Sequence, residues 1–268
     1  MTTTFEKGRQ NDFAGLNLIH KFAWLRPTEL GEMLWPNSPG ARKNMSKLLA
    51  KWRKNRYVIE RKLPENLGTA LVLARHGVEL LKRNEVECVK AGKDWGELTP
   101  DGFIPPASWK HQLLQSGLAA ILMARGYEVF AEPSIRRMGI EGDSIPDLLA
   151  RPAGSDYWLW CEVESARKTG AVRRRTGYQD KLGPLPKLAE TLRYAAHGTA
   201  LGPFQVRGAL VAFDKHAKDE RGHGLNHALR VSNALKRLCD GGNTPVTFMA
   251  MTLRGGWIEA WEAEQRVF

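Results

Sequence analysis

The chain has 268 residues with 43% hydrophobic and 26% charged content, ordinary for a globular protein, but 40 Lys and Arg against 29 Asp and Glu leave a net charge of +11. Such a balance favours polyanionic partners, and the length is enough for one large or two modest domains. No apolar run approaches the roughly 18 residues of a membrane span, MTTTFEKGRQ has no signal-peptide core, and three scattered cysteines (Cys88, Cys161, Cys239) exclude a disulfide framework, so a cytoplasmic protein with no membrane insertion is expected.

Residues 13–24 (FAGLNLIHKFAW) have helical apolar spacing that ends at Arg26-Pro27. Thr28 then reads as the N-cap of a short helix, TELGEML, stopping before Pro36. Ser38-Pro39 opens a third helix as a capping hydroxyl followed by proline at the first position. Met45, Leu48, Leu49 and Trp52 form its buried stripe, and Lys43, Lys47, Lys51 and Lys54 fall on another face. From Arg42 to Lys62 there are nine Lys/Arg and a single acid, Glu60. YVIERKLP and TALVLAR read as two strands around a turn at Glu65–Gly68, and HGVELLKRN as a closing helix. Three short helices followed by a basic hairpin is the order of a winged helix-turn-helix, whose third helix would enter the DNA groove. A solvated basic face on a small helical domain is the alternative. On the DNA-binding reading, Arg42, Lys43, Lys47, Lys51, Lys54, Arg61 and Lys62 are the candidate contacts, mostly to phosphates. This domain would span residues 1–84, and the Gly- and Pro-marked residues 85–108 would be a linker.

The second domain, 109–268, opens with a helix from Trp109 to Arg125, capped by Ser108 and ended by Gly126. YEVFAEPSIR reads as a strand broken at Pro133, and IPDLLAR and YWLWCEVES as two strands joined by PAGSD. A helix over 185–197, the strand VRGALVAF, the helix HGLNHALRVSNALKRLCD and the strand VTFMAMTL follow, with WIEAWEAE as a possible edge. The expected order is α-β-β-β-α-β-α-β, a mixed sheet with flanking helices in an α+β class of α/β protein.

Acidic residues are concentrated on the two central strands. Glu141 and Asp143 precede the first, Asp147 lies in it, and Glu162 and Glu164 end the second. Strand residues two apart share a face, so Glu162 and Glu164 point the same way, and hairpin pairing would bring Asp147 close to Glu162. An unpaired carboxylate is costly to bury, whereas clustered carboxylates suit Mg²⁺ or Mn²⁺. For Glu141 and Asp143 an exposed acidic turn is an equal alternative.

Ile145-Pro146-Asp147 followed by Glu162-Val163-Glu164 resembles the core of the PD-(D/E)xK nuclease superfamily, in which a Pro-Asp and an acid-x-Lys on adjacent strands build a metal site. The chain departs from that pattern at Glu164, where the family usually has Lys; Lys168, Lys181 or Lys187 would supply the cation, or else the site runs on carboxylates alone or is a degraded one. With the basic N-terminal segment and His111-Gln112-Leu113, the order of motifs is similar to MobC-type plasmid mobilisation relaxases and replication-relaxation proteins. That resemblance implies an endonuclease nicking double-stranded DNA at a transfer origin, alongside relaxosome accessory and coupling proteins. It also implies Asp147, Glu162, Glu164, Lys168 and His111 as catalytic residues, and Asp147, Glu162, Glu141 and Asp143 as metal ligands; for His111 a histidine at a capped helix start is the alternative. Arg173, Arg174 and Arg175 would meet phosphates near the cut, or form a solvated basic loop. A non-catalytic replication or transfer initiator with a degenerate nuclease fold is the alternative function. His223 and His227 lack an accompanying acid in an HExxH pattern, and Tyr178 and Tyr194 lack a supporting base. Trp158 and Trp160 read as core or interface aromatics.

Overall fold

The computed structural model describes residues 4–140, 144–164, 185–216, 226–239, 243–254 and 257–267. The chain divides into two units, Met1–Gly126 with Arg254–Trp257, and Tyr127–Leu253 with Ile258–Phe268. Both contain helices and strands, so the protein is a mixed α+β structure. Among the described residues no helix is long and apolar enough to cross a membrane.

The first unit begins with α1 (Thr4–Phe22), α2 (Pro27–Leu34) and α3 (Ala41–Asn55). Helix α3 buries Ala41, Met45, Leu48, Leu49 and Trp52, the stripe that its apolar spacing requires. Trp52 is fully buried, and its ring lies so close to Gly15 on α1 that a Cβ there would meet it at 2.7 Å. The starts of α2 and α3 differ from their sequence signals. Pro27 occupies the first turn of α2 behind Arg26, so Thr28 is inside the helix rather than capping it. Ser38 accepts the Ala41 N–H through its carbonyl at 3.0 Å and the Gly40 N–H through its hydroxyl at 3.3 Å. Residues 38–40 are thus a turn, and α3 starts two residues after Pro39.

Strands β1 (Val58–Lys62) and β2 (Thr69–Leu73) pair antiparallel from Val58 opposite Leu73 to Lys62 opposite Thr69. Leu25 bridges to Leu71, exchanging two backbone hydrogen bonds at 3.2 and 2.8 Å, so the stretch between α1 and α2 joins this hairpin. Helix α4 (Arg75–Arg83) follows.

Residues 85–108 are not a simple linker. Gly92 donates its N–H to the Leu73 carbonyl at 2.8 Å, and β3 (Glu97–Thr99) and β4 (Gly102–Ile104) make a second hairpin. Trp95 lies 4.9 Å from Trp24 and 5.3 Å from Phe103, ring centre to ring centre. Helix α5 (Trp109–Ala124) also belongs to the first unit, which moves the domain boundary from Trp109 to Gly126. Its Gln112 accepts the Trp24 indole N–H at 2.7 Å, Lys110 pairs with Glu65 at 2.6 Å, and Asn37 donates to the Ala124 carbonyl at 2.8 Å. Leu113, Leu114, Leu118 and Ala119 are buried along it.

The second unit is built on one sheet of seven strands. Its order is β11 (Trp257–Val267), β10 (Pro245–Arg254), β9 (Phe204–Asp214), β7 (Trp158–Glu164), β6 (Leu148–Arg151), β5 (Glu128–Ala131), with β8 (Thr199–Leu201) pairing β9. β5, β6 and β7 are antiparallel neighbours, whereas β7, β9 and β10 run parallel. Helices α6 (Glu132–Arg137), α7 (Leu185–His197) and α8 (His227–Cys239) complete it. Pro133 does not break a strand here: it sits in the first turn of α6, where a missing N–H costs nothing. Leu149, Trp158, Trp160 and Val211 from the sheet pack with Leu192 and Ala195 of α7 and Val231 and Leu235 of α8. This apolar face leads directly to the acidic residues.

Candidate metal centre and nucleic-acid face

Alternation along β7 carries Trp160, Glu162 and Glu164 on one face and Cys161 and Val163 on the other. Leu148 of β6 stands opposite Cys161, so the preceding residue, Asp147, comes beside Glu162. The strand pairing anticipated from the sequence therefore does bring these two carboxylates together. Asp147 is buried, and its Oδ2 accepts the Val163 N–H at 2.7 Å. Its backbone carbonyl accepts the N–H of Glu132, the first residue of α6, at 3.0 Å. Asp147 is thus held from both neighbouring elements. Glu162 Oε1 accepts the indole N–H of Trp160 at 2.5 Å, and that indole is buried in the core.

The electrostatics follow from this placement. Burial pushes the Glu162 carboxyl well above its ordinary range, and the Asp147 charge pushes it further. The Trp160 hydrogen bond opposes the rise, and the Glu164 charge adds to it. Cys161, on the opposite face, has its thiol pushed up by burial first and then by the charges of Glu162 and Asp147. Two carboxylates so close do not both ionise cheaply; a shared proton or a bound cation relieves the repulsion. An oxygen-only donor pair fits a hard cation such as Mg²⁺ or Mn²⁺, with water completing the shell. Among the described residues no group of three or more His, Cys, Asp or Glu side chains is gathered for a metal. Asp147 and Glu162 would be its protein ligands, with Glu164 on the same face.

The other expected members of the site belong to the first unit or lie outside the described residues. His111 is on α5 in the first unit, whereas Asp147 and Glu162 belong to the second. Glu141, Asp143, Lys168, Arg173, Arg174 and Arg175 lie outside the described residues, as do Tyr178, Lys181 and His223. Two contributors escaped the sequence reading: the Glu132 backbone N–H and the Trp160 indole N–H. Period-two alternation already placed Trp160 on the face of Glu162, which is the signal that could have revealed it.

Arg42, Lys43, Lys47, Lys51 and Lys54 of α3 are all exposed, and Lys43, Lys47 and Lys54 line one stripe with the small, exposed Ala50 between them. Lys51 pairs with Asp12, a buried residue of α1 that also accepts the Trp52 indole N–H at 2.9 Å. Arg61 is likewise engaged: its guanidinium lies 5.6 Å from the Phe103 ring centre and donates to the Lys93 carbonyl at 3.5 Å. Lys62, at the end of β1, is exposed.

No family model matches the chain, and no curated protein or solved structure matches it either.

Proposed function

We propose that the protein is a metal-dependent DNA endonuclease that nicks one strand at a plasmid transfer origin, a relaxase acting in the cytoplasm with relaxosome partners. The observation that carries this reading is the Asp147–Glu162 pair, two carboxylates brought together by adjacent strands in a chain of net charge +11. The motif supports the class: Ile145-Pro146-Asp147 directly precedes β6, and Glu162-Val163-Glu164 ends the adjacent antiparallel strand β7. The succession of α1, α2, α3 and the β1–β2 hairpin, joined by the Leu25–Leu71 bridge, supports a winged-helix reading of the first unit.

When bound, Mg²⁺ or Mn²⁺ supplies Lewis-acid polarisation of the scissile phosphate and a water of lowered pKa. Asp147 and Glu162 hold that ion, and the Val163 N–H and Trp160 indole keep one oxygen of each carboxylate in place. Exposed Arg42, Lys43, Lys47, Lys54 and Lys62 attract and orient the duplex through its phosphates. Lys168 follows the second motif and is the candidate for the cation that the superfamily usually places at position 164.

A second reading, a DNA-binding initiator without catalysis, is favoured by Glu164 at the usual lysine position and by the lack of a third gathered ligand among the described residues. Supercoiled plasmid carrying the cognate origin, incubated with the protein and Mg²⁺ or Mn²⁺, separates the two. Wild type should convert it to the nicked form, and Asp147→Ala or Glu162→Ala should slow the reaction by ~100-fold or more, since a lost metal removes several kcal/mol of transition-state stabilisation. Origin-bound DNA that stays supercoiled with wild type supports the initiator, and nicking at equal rates by the variants removes this pair from the active site.

A further inference from the structure

Trp160 does more in this fold than fill the core. It is 5% exposed and packs with Leu149, Leu192 and Val211, so its ring is fixed by the sheet and by α7. A buried indole N–H needs an acceptor, and the one it has is Glu162 Oε1 at 2.5 Å, two residues along the same strand face. The Glu162 side chain is therefore held by a group that cannot itself move without disturbing the core. On the adjacent strand, Asp147 Oδ2 is held in the same manner by the Val163 N–H at 2.7 Å. One oxygen of each carboxylate is fixed by the protein, and the two side chains also hydrogen-bond each other, so Glu162 and Asp147 are held face to face. Trp158 provides the internal contrast. It is also buried on this sheet, 5.2 Å from Phe130 and 5.0 Å from Phe204, but its packing is aromatic.

We propose that Trp160 is a positioning residue for a divalent-cation site, its indole N–H orienting the Glu162 carboxylate toward the ion shared with Asp147. This rests on the cation reading of the pair and adds to it a residue that touches neither metal nor DNA. Hydrogen bonds from such outer partners commonly hold ten- to a hundredfold in metal affinity.

The test is titration of the full-length, metal-free protein with Mn²⁺ at neutral pH, reading free Mn²⁺ by its electron paramagnetic resonance signal. Wild type, Trp160→Phe, Trp158→Phe and Asp147→Ala are compared, with a thermal melt of each. Trp160→Phe keeps an aromatic ring in the core but loses the N–H, and should bind Mn²⁺ about tenfold more weakly. Trp158→Phe should stay within about twofold of wild type, since its indole is not on a ligand of the proposed site. Replacing Trp160 site-specifically by benzothienylalanine, which exchanges the N–H for sulfur in a ring of nearly the same size, should reproduce the loss even if the phenyl variant packs poorly. Unchanged affinity in the benzothienylalanine protein, or equal weakening at Trp158 and Trp160, overturns the positioning role while leaving the cation site standing. Wild type that binds no Mn²⁺, or Asp147→Ala that binds it equally well, overturns the cation reading and this inference with it.

Discussion

Glu29 in the first unit and Asp147 in the second are both buried acids, and their surroundings are opposite in sign. Glu29 faces the equally buried Arg26, whose Nε donates to Oε2 at 2.8 Å and whose Nη2 donates to Oε1, while Nη1 reaches the Leu67 carbonyl at 2.7 Å. That guanidinium ties the start of α2 to the β1–β2 turn, so the pair serves the fold. Asp147 stands beside a second carboxylate, and burial first, then the Asp147 charge, pushes the Glu162 pKa upward. A fold gains nothing by setting like charges together in its interior, whereas a cation site requires that arrangement. The contrast teaches which acids to suspect of function: those whose neighbours make them harder to ionise.

Substitutions can break this comparison. Arg26→Ala leaves the Glu29 carboxylate buried without its partner and should cost about 3–5 kcal/mol in urea unfolding. Asp147→Asn should do the reverse in metal-free protein at pH above the raised Glu162 value, raising stability by relieving the repulsion between the two ionised carboxylates. Equal destabilisation by the two would show that both acids are structural. The cations of α3 sharpen the same distinction. Lys43→Ala with Lys47→Ala should lower the salt slope of DNA binding by about 1.8, from roughly 0.9 per phosphate contact, with little change in stability. Lys51→Ala should instead lose about 1 kcal/mol of stability, because it holds Asp12 across from α1, and leave the slope nearly unchanged. A slope that falls equally for Lys51 would place it in the DNA interface after all.

Much of this was legible from residue order. The buried stripe of α3 follows from Met45, Leu48, Leu49 and Trp52 at helical spacing, and the closeness of Asp147 to Glu162 follows from two short strands joined by a tight turn. The boundary at Gly126 was not legible, because the glycines and prolines of residues 85–108 look like a linker until Trp95 is seen against Trp24 and Phe103. Helix α6 was hidden by Pro133, since proline interrupts a strand and begins a helix equally well. The role of Lys51 depends on Asp12, thirty-nine residues away, and no local pattern joins them. Trp160 was hidden differently: its position was evident, but its polar N–H was overlooked beside its apolar ring.

The central claim is that Asp147 and Glu162 form a site that takes a proton or a cation, and unfolding as a function of pH and Mn²⁺ tests it most directly. Because the folded-state pKa of Glu162 is raised, the folded protein holds this proton more tightly than the unfolded chain does. The stability it contributes is complete below the ordinary carboxylate range and is lost as pH rises through the raised value. Metal-free wild type should therefore lose stability over that interval, Mn²⁺ should restore it most at the higher pH values, and Glu162→Gln should remove both effects. A wild-type profile that matches Glu162→Gln at every pH and does not respond to Mn²⁺ would contradict the account.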